Sequence, residues 1–214
     1  MSFQVINVSK WDRNEYFDLY FNKIGCNYSL TLNLDATALL KKIKKAKLKL
    51  FPVMIYLISK IVNQHKEFRT SLDAKRRVGV YEYLSPCYTT LPEKSENFTN
   101  IWTEYNSSFS RFYKAYEKDI KMYGESKSFL AKPNMPENIF YISSFPWISF
   151  TGLNLTFYKS PDYLLPIFTI GKYFEENGKI LLPLAIQAHH AVCDGFHVAR
   201  FVKELVDAMN TSLK

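Results

Sequence analysis

Residues 180–201 read ILLPLAIQAHHAVCDGFHVARF. The apolar run at 179–187 has the length and composition of a buried strand. The segment 196–209 carries apolar side chains at 198, 201, 202, 205, 206 and 209, the spacing of one helix face. Between them His189, His190, Asp194 and Gly195 occupy a strand-to-helix turn, and three of the chain's four histidines (His189, His190 and His197) fall in this stretch.

Three readings compete for the cluster. Adjacent side chains leaving a strand point to opposite faces, so His189 and His190 cannot both reach one ion, and no further histidine or carboxylate cluster completes a ligand set. No metal is therefore expected. Packing is the plain alternative: Asp194 suits the N-cap of the following helix, Gly195 makes the turn, and a histidine is satisfied in the core. Catalysis is the third. An imidazole with an aspartate four residues on, at a strand end, can be held in one orientation and take a proton from a hydroxyl or thiol near neutral pH. No serine elbow accompanies it, and a thiolate at Cys193 would be disfavoured beside Asp194. A base without a covalent nucleophile suits direct transfer between two bound substrates. Spacing alone leaves packing and catalysis level.

Outward from that stretch, helices are read at 11–23, 36–47, 52–64 and 101–124, the third opened by Pro52 and the last stopped by Gly124. Strands are read at 28–35, 77–84, 87–91, 139–143, 151–158, 166–173 and 179–187, with EENGK at 175–179 turning a hairpin between the last two. With no linker and no repeat, one domain spanning 1–214 is expected. The fold class is α/β: a two-layer sandwich of a mixed, largely antiparallel sheet with helices packed on one side. No glycine-rich phosphate loop exists, which argues against a dinucleotide fold.

Composition narrows the function classes. A hydrophobic content of 47% with 22% charged residues is that of a globular chain rather than a disordered one. The net charge of +8 invites a nucleic-acid reading. Much of it, however, lies in LLKKIKKAKLKL at 39–50, where apolar residues at helical spacing leave the lysines on the opposite face. No nucleic acid is expected. The longest apolar run, 51–62, is too short for a bilayer and is broken by Lys60, so no membrane is expected either. The start lacks a basic segment followed by an apolar one, and the three cysteines are odd in number and scattered. A cytoplasmic protein is expected. The aromatic content of 16% suits a broad interface or an aromatic-lined pocket.

The run His189 to Val198 resembles the HHxxxDG signature of trimeric, type A chloramphenicol acetyltransferases. The likeness extends through Trp11-Asp12-Arg13, Phe51 to Tyr56, Pro136-Glu137-Asn138, Ser143 ahead of Pro146-Trp147, and Pro166 to Thr169, covering almost the whole chain. HHxxxDG alone is shared with dihydrolipoyl acyltransferase cores and other coenzyme A-dependent acyltransferases. A lipoyl-transfer core would normally carry lipoyl and peripheral-binding domains on linkers. A silent trimer that only sequesters hydrophobic ligands would have no need of the matched polar set.

The resemblance implies an acetyltransferase conferring antibiotic resistance in the cytoplasm, with acetyl-CoA as cosubstrate. His190 is then the general base for the 3-hydroxyl of chloramphenicol, which attacks the thioester directly in a ternary complex. Asp194 pairs with Arg13 to hold the loop and the imidazole, Ser143 stabilises the oxyanion, and Thr169 holds a water. Tyr20, Ile24, Cys26, Phe98, Leu130 and Phe157 line the antibiotic pocket; members often carry Phe where Leu130 stands and smaller groups where Phe157 stands. Lys172 and Tyr173 contact coenzyme A. His189 and His197 receive no role. The resemblance also implies a homotrimer with active sites at the subunit interfaces.

Overall fold

The computed structural model describes residues 2–156 and 162–211. In chain order its elements begin with β1 (Phe3–Val5), a short α1 (Asn14–Phe17) running into a π-helical turn (Asp18–Lys23), β2 (Asn27–Asp35), α2 (Thr37–Lys45) and α3 (Leu50–Val62). Then come β3 (Thr70–Leu72), β4 (Val78–Tyr81), β5 (Ser85–Thr90), β6 (Thr99–Trp102) and α4 (Phe109–Tyr123). The chain closes with β7 (Ile139–Phe145), β8 (Ile167–Gly171), β9 (Phe174–Glu176), β10 (Lys179–His189) and α5 (Gly195–Asn210).

The main sheet runs β2-β10-β8-β7-β5-β6, with β9 pairing the start of β10, and a small sheet of order β1-β4-β3 stands apart. Only the β5–β7 and β7–β8 pairs are parallel; β2–β10, β8–β10, β9–β10 and β5–β6 are antiparallel. That is the mixed, largely antiparallel sheet expected from the sequence. Alternation along the strands sends Leu34, Ile142, Phe168, Ile170, Leu184 and Ile186 to the face that α3, α4 and α5 cover, and these side chains join one apolar core. The other face carries small and polar groups, among them Ser29, Thr31, Ser143, Thr169 and Gln187.

Amphipathic α2 buries Leu39 and Ile43 and turns its lysines outward, apart from Lys42, whose ammonium caps the α5 carbonyls of Asn210 and Thr211. The β9–β10 turn at Asn177 and Gly178 has both residues at positive φ, 50° and 75°, the conformation of a tight hairpin and one that glycine adopts without strain.

Four expectations need correction. The helix read over 101–124 begins only at Phe109; Thr99–Trp102 is instead the edge strand β6. The helix read over 11–23 begins only at Asn14, and its one α-helical turn passes directly into a π-helical stretch ending at Lys23. The strand read over 151–158 does not form within its described residues, 151–156. Its amides go instead to side chains of the open sheet face: Leu153 N–H to Thr31 Oγ1 (3.3 Å) and Leu155 N–H to Gln187 Oε1 (3.1 Å). Pro52 sits inside the first turn of α3, which starts at Leu50, where its missing N–H costs no helical bond.

Candidate active site

Strand β10 delivers the histidine pair. His189 is its last residue and is buried, accepting the Ala191 N–H on Nδ1 at 3.2 Å. His190 carries the ladder one step further, its N–H donating to the Cys26 carbonyl at 2.9 Å. The ring of His190 faces the opposite way and keeps 31% of its side-chain surface exposed. Tyr20 lies flat on it, with ring centroids 4.1 Å apart and planes 5° from parallel, and Tyr28 packs against it at 5.3 Å with a 60° tilt. Gly25, at φ 67°, makes the turn that brings Tyr20 and Cys26 onto the end of β10.

Asp194 stands at the N-cap position of α5 and shares a capping box with His197, and its carboxylate has a second commitment. It faces Arg13, which binds both carboxylate oxygens at 2.5 and 2.9 Å and donates to the carbonyls of His190 (3.0 Å) and Ala191 (3.2 Å). One guanidinium thus ties together the backbone of 190–191 and the aspartate that follows. A planar fork with two parallel bonds is the geometry arginine provides and lysine does not. The hydrogen bonds from Arg13 hold the Asp194 carboxyl below its usual range, and Asp194 in turn raises Arg13. The nearer Asp194 oxygen lies 3.1 Å from His190 Nδ1, a close approach without the alignment of a hydrogen bond.

Burial pushes the Cys193 thiol up to about 12, so it is packed and unreactive near neutral pH, as the sequence led us to expect. Among the described residues no group of three or more His, Cys, Asp or Glu side chains is placed to hold a metal ion.

Ser143 and Thr169 lie elsewhere. They sit opposite each other across the β7–β8 pair and line a hollow of about 560 Å³ together with Phe98, Trp147, Leu153 and Leu155. On β10 the residue opposite Thr169 is Ala185, five positions before His190. At about 3.3 Å per residue that is roughly 16 Å along the sheet. A smaller hollow of about 320 Å³, lined by Gly25, Tyr28, Ser29, Leu155 and Gln187, opens on the His190 side. Leu155 borders both hollows.

The remaining expected residues distribute over these two regions. Tyr20 and Cys26 stand with His190, and Ile24, in the same turn, is largely exposed. Phe98 belongs to the larger hollow. Leu130 is held beside it: Asn100 on β6 bonds the backbone of Phe129 and Ala131, and the Phe98 and Phe129 rings are 5.9 Å apart. Lys172 follows β8, its N–H donating to the Ile148 carbonyl at 2.9 Å, and Tyr173 beside it is half exposed. Phe157 lies outside the described residues. Sequence reasoning did not single out Tyr28 or Leu155, which carry no motif; it quoted Trp147 only within the family likeness, and it gave His197 no role.

Comparison with known proteins bears on the family and the fold. The sequence profile of the family described as "Chloramphenicol acetyltransferase" matches residues 1–206. A chloramphenicol acetyltransferase of Campylobacter coli is 50% identical over 210 residues, covering 98% of this chain and 100% of the relative. One of Vibrio anguillarum is 48% identical over 211 residues, covering 99% and 96%. In fold alone, a solved chloramphenicol acetyltransferase superposes with a TM-score of 0.89 at 23% identity, over 97% of this chain and 100% of that one.

Proposed function

The chain belongs to the chloramphenicol acetyltransferase family, and from that premise we propose that it moves an acetyl group from acetyl-CoA to the 3-hydroxyl of chloramphenicol, with His190 as general base. The single observation that carries the base assignment is the anchoring of His190: a ring clamped by Tyr20 and a backbone bound by Arg13, with Asp194 against Nδ1. Nδ1 is buried, so Nε2 is the nitrogen left to meet a substrate.

In the reaction so proposed, Nε2 takes the hydroxyl proton as the oxygen attacks the thioester carbonyl carbon. The tetrahedral oxyanion collapses, the carbon–sulfur bond breaks, and the imidazolium returns its proton to the departing thiolate, giving ester and free coenzyme A. A positioned base of this kind contributes about 10²- to 10⁴-fold in rate. Asp194 stays ionised and favours the transient imidazolium. The Ser143 hydroxyl donates to the oxyanion, and Thr169, buried next to it, holds a water there. Chloramphenicol is taken between Tyr20, Ile24 and Cys26 on one side and Phe98, Leu130 and Phe157 on the other, with Lys172 and Tyr173 at coenzyme A.

A site assembled from both regions calls for a second copy. The roughly 16 Å between Thr169 and His190 within one chain is too far for one oxyanion to meet both. Bringing the His190 face of one copy to the Ser143 face of the next is a head-to-tail contact, and such contacts close into rings. A homotrimer with its active sites between subunits satisfies this. Residues 1–214 act in this reading as one catalytic domain, working in the cytoplasm and giving resistance to the antibiotic. Among the described residues no helix is long and apolar enough to cross a membrane.

The test is thiol release by the purified chain from acetyl-CoA, with and without chloramphenicol. Antibiotic-dependent release that His190→Ala abolishes in a folded protein is expected. Near-normal turnover by His190→Ala would refute the assignment.

A further inference from the structure

Resting on that reading, we infer that His197 is a positioning residue: in its neutral form with the proton on Nε2, it fixes the Asp194 turn that in turn holds His190. The observation is a bond running backward across the start of α5. The Asp194 backbone N–H donates to His197 Nδ1 at 2.9 Å. His197 is the third residue of the helix, the position from which a Glu or Gln usually reaches back to the N-cap N–H. A histidine has taken that task here.

The reason lies in what Asp194 is committed to. Its side chain meets the His197 backbone N–H in the capping box, but both of its oxygens are also engaged by Arg13, so the helix start does not rest on the carboxylate alone. The carbonyl of Asp194 begins the helix by accepting from His197 N–H (2.9 Å) and Val198 N–H (3.2 Å). The remaining backbone group, the Asp194 N–H, is bound by the imidazole. Both ends of the residue are then fixed, and the Cβ direction that aims the carboxylate at Arg13 and His190 follows. Without the imidazole acceptor, Asp194 could rotate about φ and carry its carboxylate away from the base.

The bond also dictates the protonation state. Nδ1 can accept only while it carries no proton, which places the proton of the neutral ring on Nε2. A reversed ring would offer a C–H to the Asp194 N–H. The charged groups around the ring act in both directions. Asp194 (3.9 Å from Nδ1) and Glu67 favour the cation, whereas Arg13 and Arg200 disfavour it. Burial is the largest influence and holds the ring below its ordinary value, in keeping with a neutral acceptor at pH 7.

Three proteins decide the matter: wild type, His197→Ala and His197→Gln. Long-range ¹H–¹⁵N spectra of the wild type at pH 7 should show His197 with an unprotonated Nδ1 and a protonated Nε2. With acetyl-CoA and chloramphenicol, His197→Ala should lose about tenfold in kcat with both KM values within about twofold, the pattern of a misplaced base rather than a damaged pocket. His197→Gln, which restores an acceptor at the same helical position, should recover most of that loss. A protonated Nδ1 in the wild type, or a wild-type kcat in folded His197→Ala, overturns the inference. A kcat loss that glutamine leaves uncorrected does so as well. A wild-type chain without acetyl transfer would instead bring down the proposed function, while the tautomer measurement still judges His197 by itself.

Discussion

Tyr20 lies flat against His190, ring on ring at 4.1 Å and within 5° of parallel. The stack limits rotation of the imidazole about its side-chain bonds, which the close but poorly aligned approach of Asp194 does not do alone. A stacked aromatic pair contributes about 0.5–1.5 kcal/mol beyond its buried area. Tyr20→Leu should therefore reduce kcat roughly three- to tenfold, and Tyr20→Phe, which keeps the ring, should leave it close to wild type. Steady-state kinetics at saturating acetyl-CoA decide this.

The Arg13–Asp194 pair gives a pH signature with a definite sign. Asp194 has a folded-state pKa below its unfolded one, with Arg13 the first cause, so its stabilisation is fully present above the unfolded value of about 3.9. It is lost as pH falls through the lower folded value. Arg13, raised by the same bond, loses its share only in strong alkali. The melting temperature of wild type should exceed that of Asp194→Asn at pH 7, and the gap should narrow below about pH 4. The side chains are 16% and 31% exposed, so solvent screening trims the loss to about 1–3 kcal/mol, less than for a fully buried pair. A gap that stays constant down to pH 2.5 would contradict the linkage.

Away from the chemistry, Lys132 binds both oxygens of buried Asp119 at 2.9 Å and stands 3.9 Å from the Trp102 ring centre. The Thr103 hydroxyl donates to the same carboxylate at 2.7 Å. Lys132 thereby fastens the segment carrying Phe129 and Leu130 onto α4 and β6. Lys132→Met removes one partner and strands a carboxylate in the core, which costs about 3 kcal/mol. Urea denaturation should show the midpoint falling at an unchanged slope. Lys132→Met combined with Asp119→Leu should recover part of the loss, because no uncompensated charge remains.

Parts of this design were legible in the sequence for physical reasons that can be named. The i to i+4 spacing of His190 and Asp194, between a strand end and a helix start, puts the two side chains within reach of each other, and period-two alternation marked β2. Arg13 is 181 residues from Asp194; no local pattern couples them, and only the family likeness joined them. Residues 101–108 were read as helix because the strong periodicity of 109–123 was extended backward past Ser108. The sequence 151–156 alternates like a strand, yet Thr31 and Gln187 supply the acceptors that a neighbouring strand would have offered. His197 escaped notice because a histidine at the third helical position is not the Glu or Gln that signals a capping box.

The separation of His190 from Ser143 yields the most discriminating prediction. Each variant, His190→Ala and Ser143→Ala, should be severely impaired alone, the second by about 10²- to 10³-fold through loss of an oxyanion donor. If a site takes its base from one copy and its serine from the next, unfolding the two variants together in equal amounts and refolding them mixes competent parts. A fully intact site then needs a Ser143→Ala copy supplying His190 and a His190→Ala copy supplying Ser143. In a closed head-to-tail ring with random assortment, each condition holds half of the time, so about one quarter of wild-type activity should return. If both residues came from the same chain, every site would lack one of them, and the mixture would show only the sum of the two residual activities. Refolding each variant separately before mixing supplies the control: without exchange of copies, no activity should return.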